Sequence, residues 1–175
     1  SDARGAVDAV VQRMGNVVSV AATNGPRSVV ISGSRAAVAA VVQDELGIDE
    51  QQTRPLNVSH AFHSPLVSEA EDSVRSVFEA IKADGLVGPT RLPVASTVSG
   101  RVEPSGSEAF ANADHWIHQI TSCVLFDQAM EALCTTTPAL SFLEVSFLFK
   151  FDCVSHARGF SCLSCMRSEE HTSEL

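Results

Sequence analysis

The sequence predicts an α/β fold, in which helices alternate with short strands, for a chain of 175 residues. Apolar residues recur at helical spacing in several segments, short β-branched runs lie between these segments, and Gly, Pro or Asn stands at many of the junctions. Hydrophobic residues make up 45% of the sequence, which is enough for a buried core. We therefore expect one compact body rather than two independent domains.

The first 58 residues have the order helix, strand, strand, helix, strand. Asn24-Gly25-Pro26 separates the first two strands and favours a hairpin turn, and Ser34 can cap the second helix. The predicted elements are a helix over 6–14, strands over 17–22 and 28–31, a helix between Ser34 and Gly47, and a strand over 54–58. This order predicts a ferredoxin-like subdomain over residues 1–58 whose first strand is missing, so we expect that strand upstream of Ser1.

A capped helix opens the second part of the chain. Ser64 is the predicted cap and Pro65 the first helical residue, where its missing N–H has no cost. Apolar residues line one face of this helix, namely Leu66, Ala70, Val74, Val77, Phe78 and Ile81. Further predicted elements are a strand over 92–98, helices over 114–120 and 126–134, and a buried strand over 140–145.

Charge and composition argue against several classes of partner. The net charge of -9 provides no basic surface for nucleic acid. No apolar run reaches the roughly 20 residues of a membrane span, and the N-terminus does not resemble a signal peptide, so we expect a cytoplasmic protein. Cys162 and Cys165 form an isolated C-x-x-C pair without a second pair, so no metal site is predicted.

Residues 146–175 are predicted to be foreign to the domain. The alternation of polar and apolar segments ends there, and residues 167–175 read RSEEHTSEL, which resembles the translation of a common sequencing-library adapter. We therefore expect residues 167–175 to be a cloning or assembly artefact and the segment from Ser146 onward to be out-of-frame or unrelated sequence, which resequencing of the source DNA tests.

Two histidines surround a phenylalanine just before the capped helix, in the run His60-Ala61-Phe62-His63. A loop between a strand and a helix is a common position for functional residues. A single loop histidine is nevertheless more often solvated or bonded locally, and its spacing alone does not decide between these interpretations.

Residues 59–66 closely resemble the specificity segment of acyltransferase domains from modular polyketide synthases, where the string HAFH is typical of malonyl selectivity. The resemblance covers about residues 5–145. Its other matching segments are residues 20–33 (VAATNGPRSVVISG), 93–101 (PVASTVSGR), 115–117 (HWI), 124–126 (VLF) and 142–145 (FLEV). It implies that residues 59–145 are the C-terminal part of an α/β-hydrolase-like acyltransferase core, which is incomplete in this sequence.

The resemblance also implies a reaction. A serine takes the malonyl group from malonyl-CoA, and the group then passes to the phosphopantetheine thiol of an acyl-carrier protein, with no other cofactor. His63 matches the general base, and Gln119 matches the position whose main-chain carbonyl orients the imidazole. His60, Ala61 and Phe62 match the specificity residues, and the phenylalanine leaves no room for the methyl branch of methylmalonyl.

The serine of this family lies in a G-x-S-x-G elbow, which does not occur in the 175 residues. We therefore expect the chain to need the N-terminal half of the same domain as a partner and to be inactive alone. Two alternatives stay open: a non-catalytic ferredoxin-like module for ligand binding or docking, and a stand-alone malonyl transacylase of fatty acid synthesis. An in-frame G-x-S-x-G upstream of Ser1 would argue against the first, and neighbouring ketosynthase or carrier-protein sequence against the second.

Overall fold

A computed structural model describes residues 3–46 and 53–136. Its first segment begins with helix α1 (Ala3–Met14) and a short 3-10 turn, followed by strands β1 (Val18–Gly25) and β2 (Ser28–Gly33). The strands pair antiparallel, with Val18 opposite Gly33. The predicted first helix and the predicted hairpin are therefore confirmed.

The second predicted helix is also confirmed. Helix α2 (Arg35–Ala40) continues into one wider helical turn, Val41–Glu45. Ser34 caps it, because its hydroxyl accepts a 3.2 Å hydrogen bond from the Ala37 N–H. The core of this segment consists of Val10, Val18 and Val41, one each from α1, β1 and the wider turn.

The predicted strand over residues 54–58 is wrong. Within the described residues, the sheets are two antiparallel pairs, and neither includes this segment. Leu56 and Val58 are exposed, so the segment lacks both the backbone partner and the covered face that stabilise a strand. The segment 3–46 thus shows the helix, hairpin and helix of the predicted order, while the ferredoxin-like unit as a whole stays a prediction.

The second segment contains three helices and a small hairpin. Its elements are a 3-10 helix (Pro65–Ala70), α3 (Glu71–Ala83), β3 (Val94–Ser96), β4 (Arg101–Glu103), a 3-10 turn (Ala109–Ala111), α4 (Ala113–Thr121) and α5 (Phe126–Thr136). The helices predicted after Ser64, at 114–120 and at 126–134 are confirmed. The predicted strand over 92–98 is shorter than expected, and its partner β4 was not predicted.

The apolar face of α3 is only partly covered. Phe78 is buried, but Val77 and Ile81 are exposed, as is Leu66 on the preceding 3-10 helix. Among the described helices, none is long and apolar enough to cross a membrane.

The link between α4 and α5 is joined to the first segment by backbone hydrogen bonds. Val124 forms a parallel bridge with Ala22 of β1. The Val124 N–H donates to the Ala21 carbonyl at 2.8 Å, and the Thr23 N–H donates to the Val124 carbonyl at 2.9 Å. The Leu125 N–H donates to the carbonyl of Thr97, which follows β3, at 2.7 Å. The link between α4 and α5 is therefore fixed to β1 on one side and to the β3 turn on the other.

The predicted strand over 140–145 and the tail over 146–175 lie outside the described residues. The proposed boundaries after residues 58 and 145 stay predictions.

Candidate active site

The backbone of His63 has a conformation that is unusual for its residue type. Its φ is 59°, which makes it the one non-glycine residue with positive φ in the described part of the chain. Such a conformation costs about 1–3 kcal/mol and persists only where surrounding contacts impose it. One such contact is the 2.8 Å hydrogen bond from the His63 N–H to the carbonyl of Ile120 in α4. The loop before the 3-10 helix is thus tied to the end of α4.

The imidazole of His63 is held by a second carbonyl. Its Nδ1 lies 3.1 Å from the main-chain oxygen of Ser122, in a partly buried position. A carbonyl oxygen accepts but never donates a hydrogen bond, so this contact requires the proton of a neutral ring to be on Nδ1. The lone pair is then on Nε2, which is the tautomer that a general base at Nε2 needs.

Both carbonyls are available because α4 ends there. The last carbonyls of a helix have no partner within the helix. Ile120 lies in the final turn, and Ser122 is the residue after the helix, with an extended backbone (φ -104°, ψ 165°). The end of α4 therefore supplies two acceptors to a single histidine.

Gln119 lies next to this site with a different contact. Its side-chain oxygen is 3.5 Å from the Thr97 hydroxyl. The main-chain oxygen at His63 Nδ1 belongs to Ser122, three residues later. The sequence analysis did not single out Ser122, because every residue has a main-chain carbonyl. The one available signal was the position of Ser122 just after a predicted helix.

Ser64 fixes the loop on the other side of His63. Its buried hydroxyl donates to the Ala61 carbonyl at 2.6 Å and accepts from the Leu66 N–H at 3.3 Å. The predicted cap is confirmed, and it also closes a tight turn across Phe62 and His63. Ala61, a predicted specificity residue, contributes its backbone to this turn.

His60 and Phe62 lie together beside the loop. Their ring centroids are 5.9 Å apart, and both line a surface pocket of about 410 Å³ with Leu66 and Ile120. Phe62 is 42% exposed, so it is not an ordinary core aromatic in the described part of the chain. The structure thus brings two of the three predicted specificity residues to one pocket.

Several charged and titratable groups of α3 and α4 make contacts that do not involve His63. Arg75 and Asp114 make an exposed ion pair at 2.7 Å, and this contact raises the pKa of the guanidinium. His115 packs against Phe110 in a tilted arrangement with ring centroids 4.4 Å apart, and burial lowers the pKa of the His115 imidazole. Among the described residues, no three His, Cys, Asp or Glu side chains are placed to hold a metal ion.

Comparison with known proteins assigns the chain to a family. The family model described as "Acyl transferase domain" matches residues 3–148. The chain belongs to this family. The chain is 40% identical over 109 residues to mycoketide-CoA synthase of Mycobacterium tuberculosis. This match covers 62% of the chain and 2% of that protein. It is 33% identical over 140 residues to the phenolphthiocerol synthesis polyketide synthase Pks15/1 of Mycobacterium marinum, covering 80% of the chain and 6% of that protein.

Solved structures agree with this assignment. The acyltransferase domain from the second module of the salinomycin polyketide synthase matches with a TM-score of 0.62 at 32% identity, over 75% of this chain and 29% of that one. The malonyl-CoA:ACP transacylase of Synechocystis has the same fold, with a TM-score of 0.61 at 24% identity, over 77% of this chain and 42% of that one. The chain therefore spans less than half of each of these solved proteins.

Proposed function

We propose that this chain is the histidine-bearing part of an acyltransferase that loads malonyl groups from malonyl-CoA onto an acyl-carrier protein in polyketide synthesis. The observation that supports this most strongly is the contact of His63 Nδ1 with the Ser122 carbonyl at 3.1 Å. It leaves Nε2 as the basic nitrogen of a ring whose orientation is fixed. The polyketide setting is supported by the 33% identity to the polyketide synthase Pks15/1 and the 32% identity to the acyltransferase domain of the salinomycin polyketide synthase.

In the first half-reaction, Nε2 of His63 takes the proton of a serine hydroxyl supplied by sequence outside these 175 residues. The serine oxygen attacks the thioester carbonyl of malonyl-CoA, the C–S bond breaks, and the imidazolium gives its proton to the coenzyme A sulfur, which leaves as the thiol. A malonyl ester of the serine remains.

In the second half-reaction, Nε2 takes the proton of the phosphopantetheine thiol on the carrier protein. The thiolate attacks the ester, the C–O bond breaks, and the proton returns to the serine oxygen. The ring therefore ends each full cycle neutral. The proposed orienting group for both steps is the Ser122 carbonyl rather than that of Gln119, because the Ser122 oxygen is the one within hydrogen-bond distance of Nδ1.

The pocket beside the loop suits a small acyl group. Phe62 and His60 line it, and we propose that the half-exposed ring of Phe62 takes the space that a methyl branch would need. One methyl-sized difference in an apolar pocket is worth about 1–3 kcal/mol, so we propose malonyl preference that is real but incomplete.

A chimera tests the proposed base. In the acyltransferase domain from the second salinomycin module, the matching segment is replaced by residues 3–136 of this chain. Transfer of labelled malonyl from malonyl-CoA to a carrier protein is then measured. His63→Gln is expected to lower the transfer rate roughly 10²- to 10⁴-fold, the usual contribution of a general base.

The matched control is His118→Gln, which changes an exposed histidine of α4. It is expected to keep the rate of the unmodified chimera. A His63→Gln chimera that transfers malonyl as fast as the His118→Gln chimera would contradict the proposed role.

A further inference from the structure

A hydrogen bond between two distant side chains lies behind the candidate site. The Thr23 hydroxyl of β1 donates to Asp127 Oδ1 of α5 at 2.6 Å, across 104 positions of sequence. Thr23 is 1% exposed. A hydroxyl–carboxylate bond of this length is charge-assisted and stronger than a neutral one.

This bond adds a side-chain contact to the backbone bonds that hold Val124, two residues after Ser122, on β1. Asp127 is in the first turn of α5, where Oδ1 also accepts from the Gln128 N–H at 2.8 Å. Two residues before α5, Val124 is bonded to β1 on both sides, by the Ala21 carbonyl and the Thr23 N–H. Thr23 thus contacts two neighbouring parts of the chain. Its main chain bonds Val124 in the link between α4 and α5, and its side chain bonds Asp127 at the start of α5.

Ser122 lies between these anchors and the end of α4. Its N–H donates to the His118 carbonyl at 2.9 Å, and its carbonyl faces His63 Nδ1. The position of that carbonyl therefore depends on α4 on one side and on the attachment of Val124 and Asp127 to β1 on the other.

We propose that Thr23 and Asp127 are positioning residues that hold the Ser122 carbonyl on Nδ1 of His63 and so set the tautomer of the base. This inference rests on the proposed function, because a fixed tautomer matters only if Nε2 accepts a proton. The effect of these two residues reaches the ring through the main chain of residues 122–124.

The tautomer of His63 can be measured directly in the full 175-residue chain. The chain is labelled with ¹⁵N in its histidines, and the ring nitrogen shifts are recorded at a pH where the imidazoles are neutral. The signals of His63 are identified by their loss in His63→Gln. The unmodified chain is expected to show His63 mainly with the proton on Nδ1.

Thr23→Val keeps the shape of the side chain but removes the hydroxyl. The ratio of the Nδ1–H to the Nε2–H form of His63 is expected to fall by roughly two- to tenfold, the range set by the net value of one hydrogen bond. Thr23→Ser keeps a hydroxyl and is expected to restore the ratio. Thr135→Val, which removes an exposed hydroxyl of α5 bonded to the Ala132 carbonyl, is the matched control.

A Thr23→Val chain that keeps the unmodified ratio, with the ring signals of His115 unchanged, would overturn the inference. If Thr23→Val loses its fold, Asp127→Asn decides: a smaller fall in the same direction supports the inference, and an unchanged ratio overturns it. A different result would contradict the proposed function, namely a proton on Nε2 of His63 already in the unmodified chain.

Discussion

The two described segments treat their apolar side chains differently. In residues 3–46, the valines of α1, β1 and the wider turn after α2 pack together, and Val41 is 0% exposed. On α3, Val77 belongs to an equally regular apolar face but is 59% exposed. Helical spacing therefore identifies a face that can be covered, but it does not tell whether another element covers it.

The site lies where the two segments meet. The hairpin segment provides a buried core and holds the link between α4 and α5, while the second segment provides His63, the pocket and the carbonyl of Ser122. We infer that apolar residues of the first segment mainly determine stability, whereas exposed apolar residues near His63 mainly determine selectivity. Four predictions test this division.

The largest effect on stability is expected at Val41. Val41→Ala removes two buried methyl groups from the core, which should lower the free energy of unfolding by about 2–3 kcal/mol. Val77→Ala removes the same groups from an exposed face and should change it by less than about 0.5 kcal/mol. Urea unfolding of the full chain measures both, and equal effects would remove the contrast between the segments.

Phe62→Ser is expected to change selectivity rather than stability. Removal of the half-exposed ring opens the pocket to a methyl branch, so the ratio of malonyl to methylmalonyl transfer in the chimera should fall by about 10- to 200-fold. Competition between the two coenzyme A thioesters measures this ratio. An unchanged ratio would assign Phe62 to packing alone.

The two helix caps offer a smaller matched comparison. Ser64→Ala removes a buried hydroxyl with two hydrogen bonds, so it should cost about 1–2 kcal/mol. Ser34→Ala removes an exposed hydroxyl that accepts one bond, so about 0.5–1 kcal/mol is expected. Thermal unfolding of both variants tests the order, and a larger loss for Ser34→Ala would contradict the account of the loop.

The smallest expected effect is a pH dependence at His115. Burial lowers the pKa of its imidazole below the ordinary value of 6.5, so the unfolded chain binds this proton more readily than the folded chain. Stability from this group is therefore full above pH 6.5 and decreases as the pH falls through that value. His115→Gln should reduce the loss of Tm between neutral and mildly acidic pH.

His60→Gln is the control for this measurement, because His60 is exposed and is not among the groups that shift the pKa of His115, and it should keep the loss of Tm. An identical loss in His115→Gln and in the unmodified chain would show that burial of His115 does not contribute.

Local signals predicted most of the described elements. Asn24-Gly25-Pro26 identified the hairpin turn, and Ser34 and Ser64 identified two helix starts, because turns and caps depend on residues within a few positions. The strand over 54–58 was predicted wrongly, and β4 was missed. A strand depends on a partner elsewhere in the chain, which local composition does not reveal.

The candidate site likewise has features that the sequence predicted and features that it did not. The side chains of His60, Phe62 and His63 were predicted from the sequence because the string HAFH resembles the specificity segment of the family. The Ser122 carbonyl and the Thr23–Asp127 bond were not, because the first is a backbone group and the second joins residues 104 positions apart. Tertiary contacts rather than residue types decide both.

The state of the His63 ring tests the central claim most directly. In ¹⁵N spectra of the unmodified 175-residue chain, the neutral imidazole of His63 should have its proton on Nδ1, bonded to the Ser122 carbonyl, with Nε2 unprotonated. His60 provides an internal comparison, because its Nδ1 faces the Ser59 hydroxyl, which can donate or accept. A His63 ring with its proton mainly on Nε2 would contradict the account, since that nitrogen could then not accept a proton from serine or thiol.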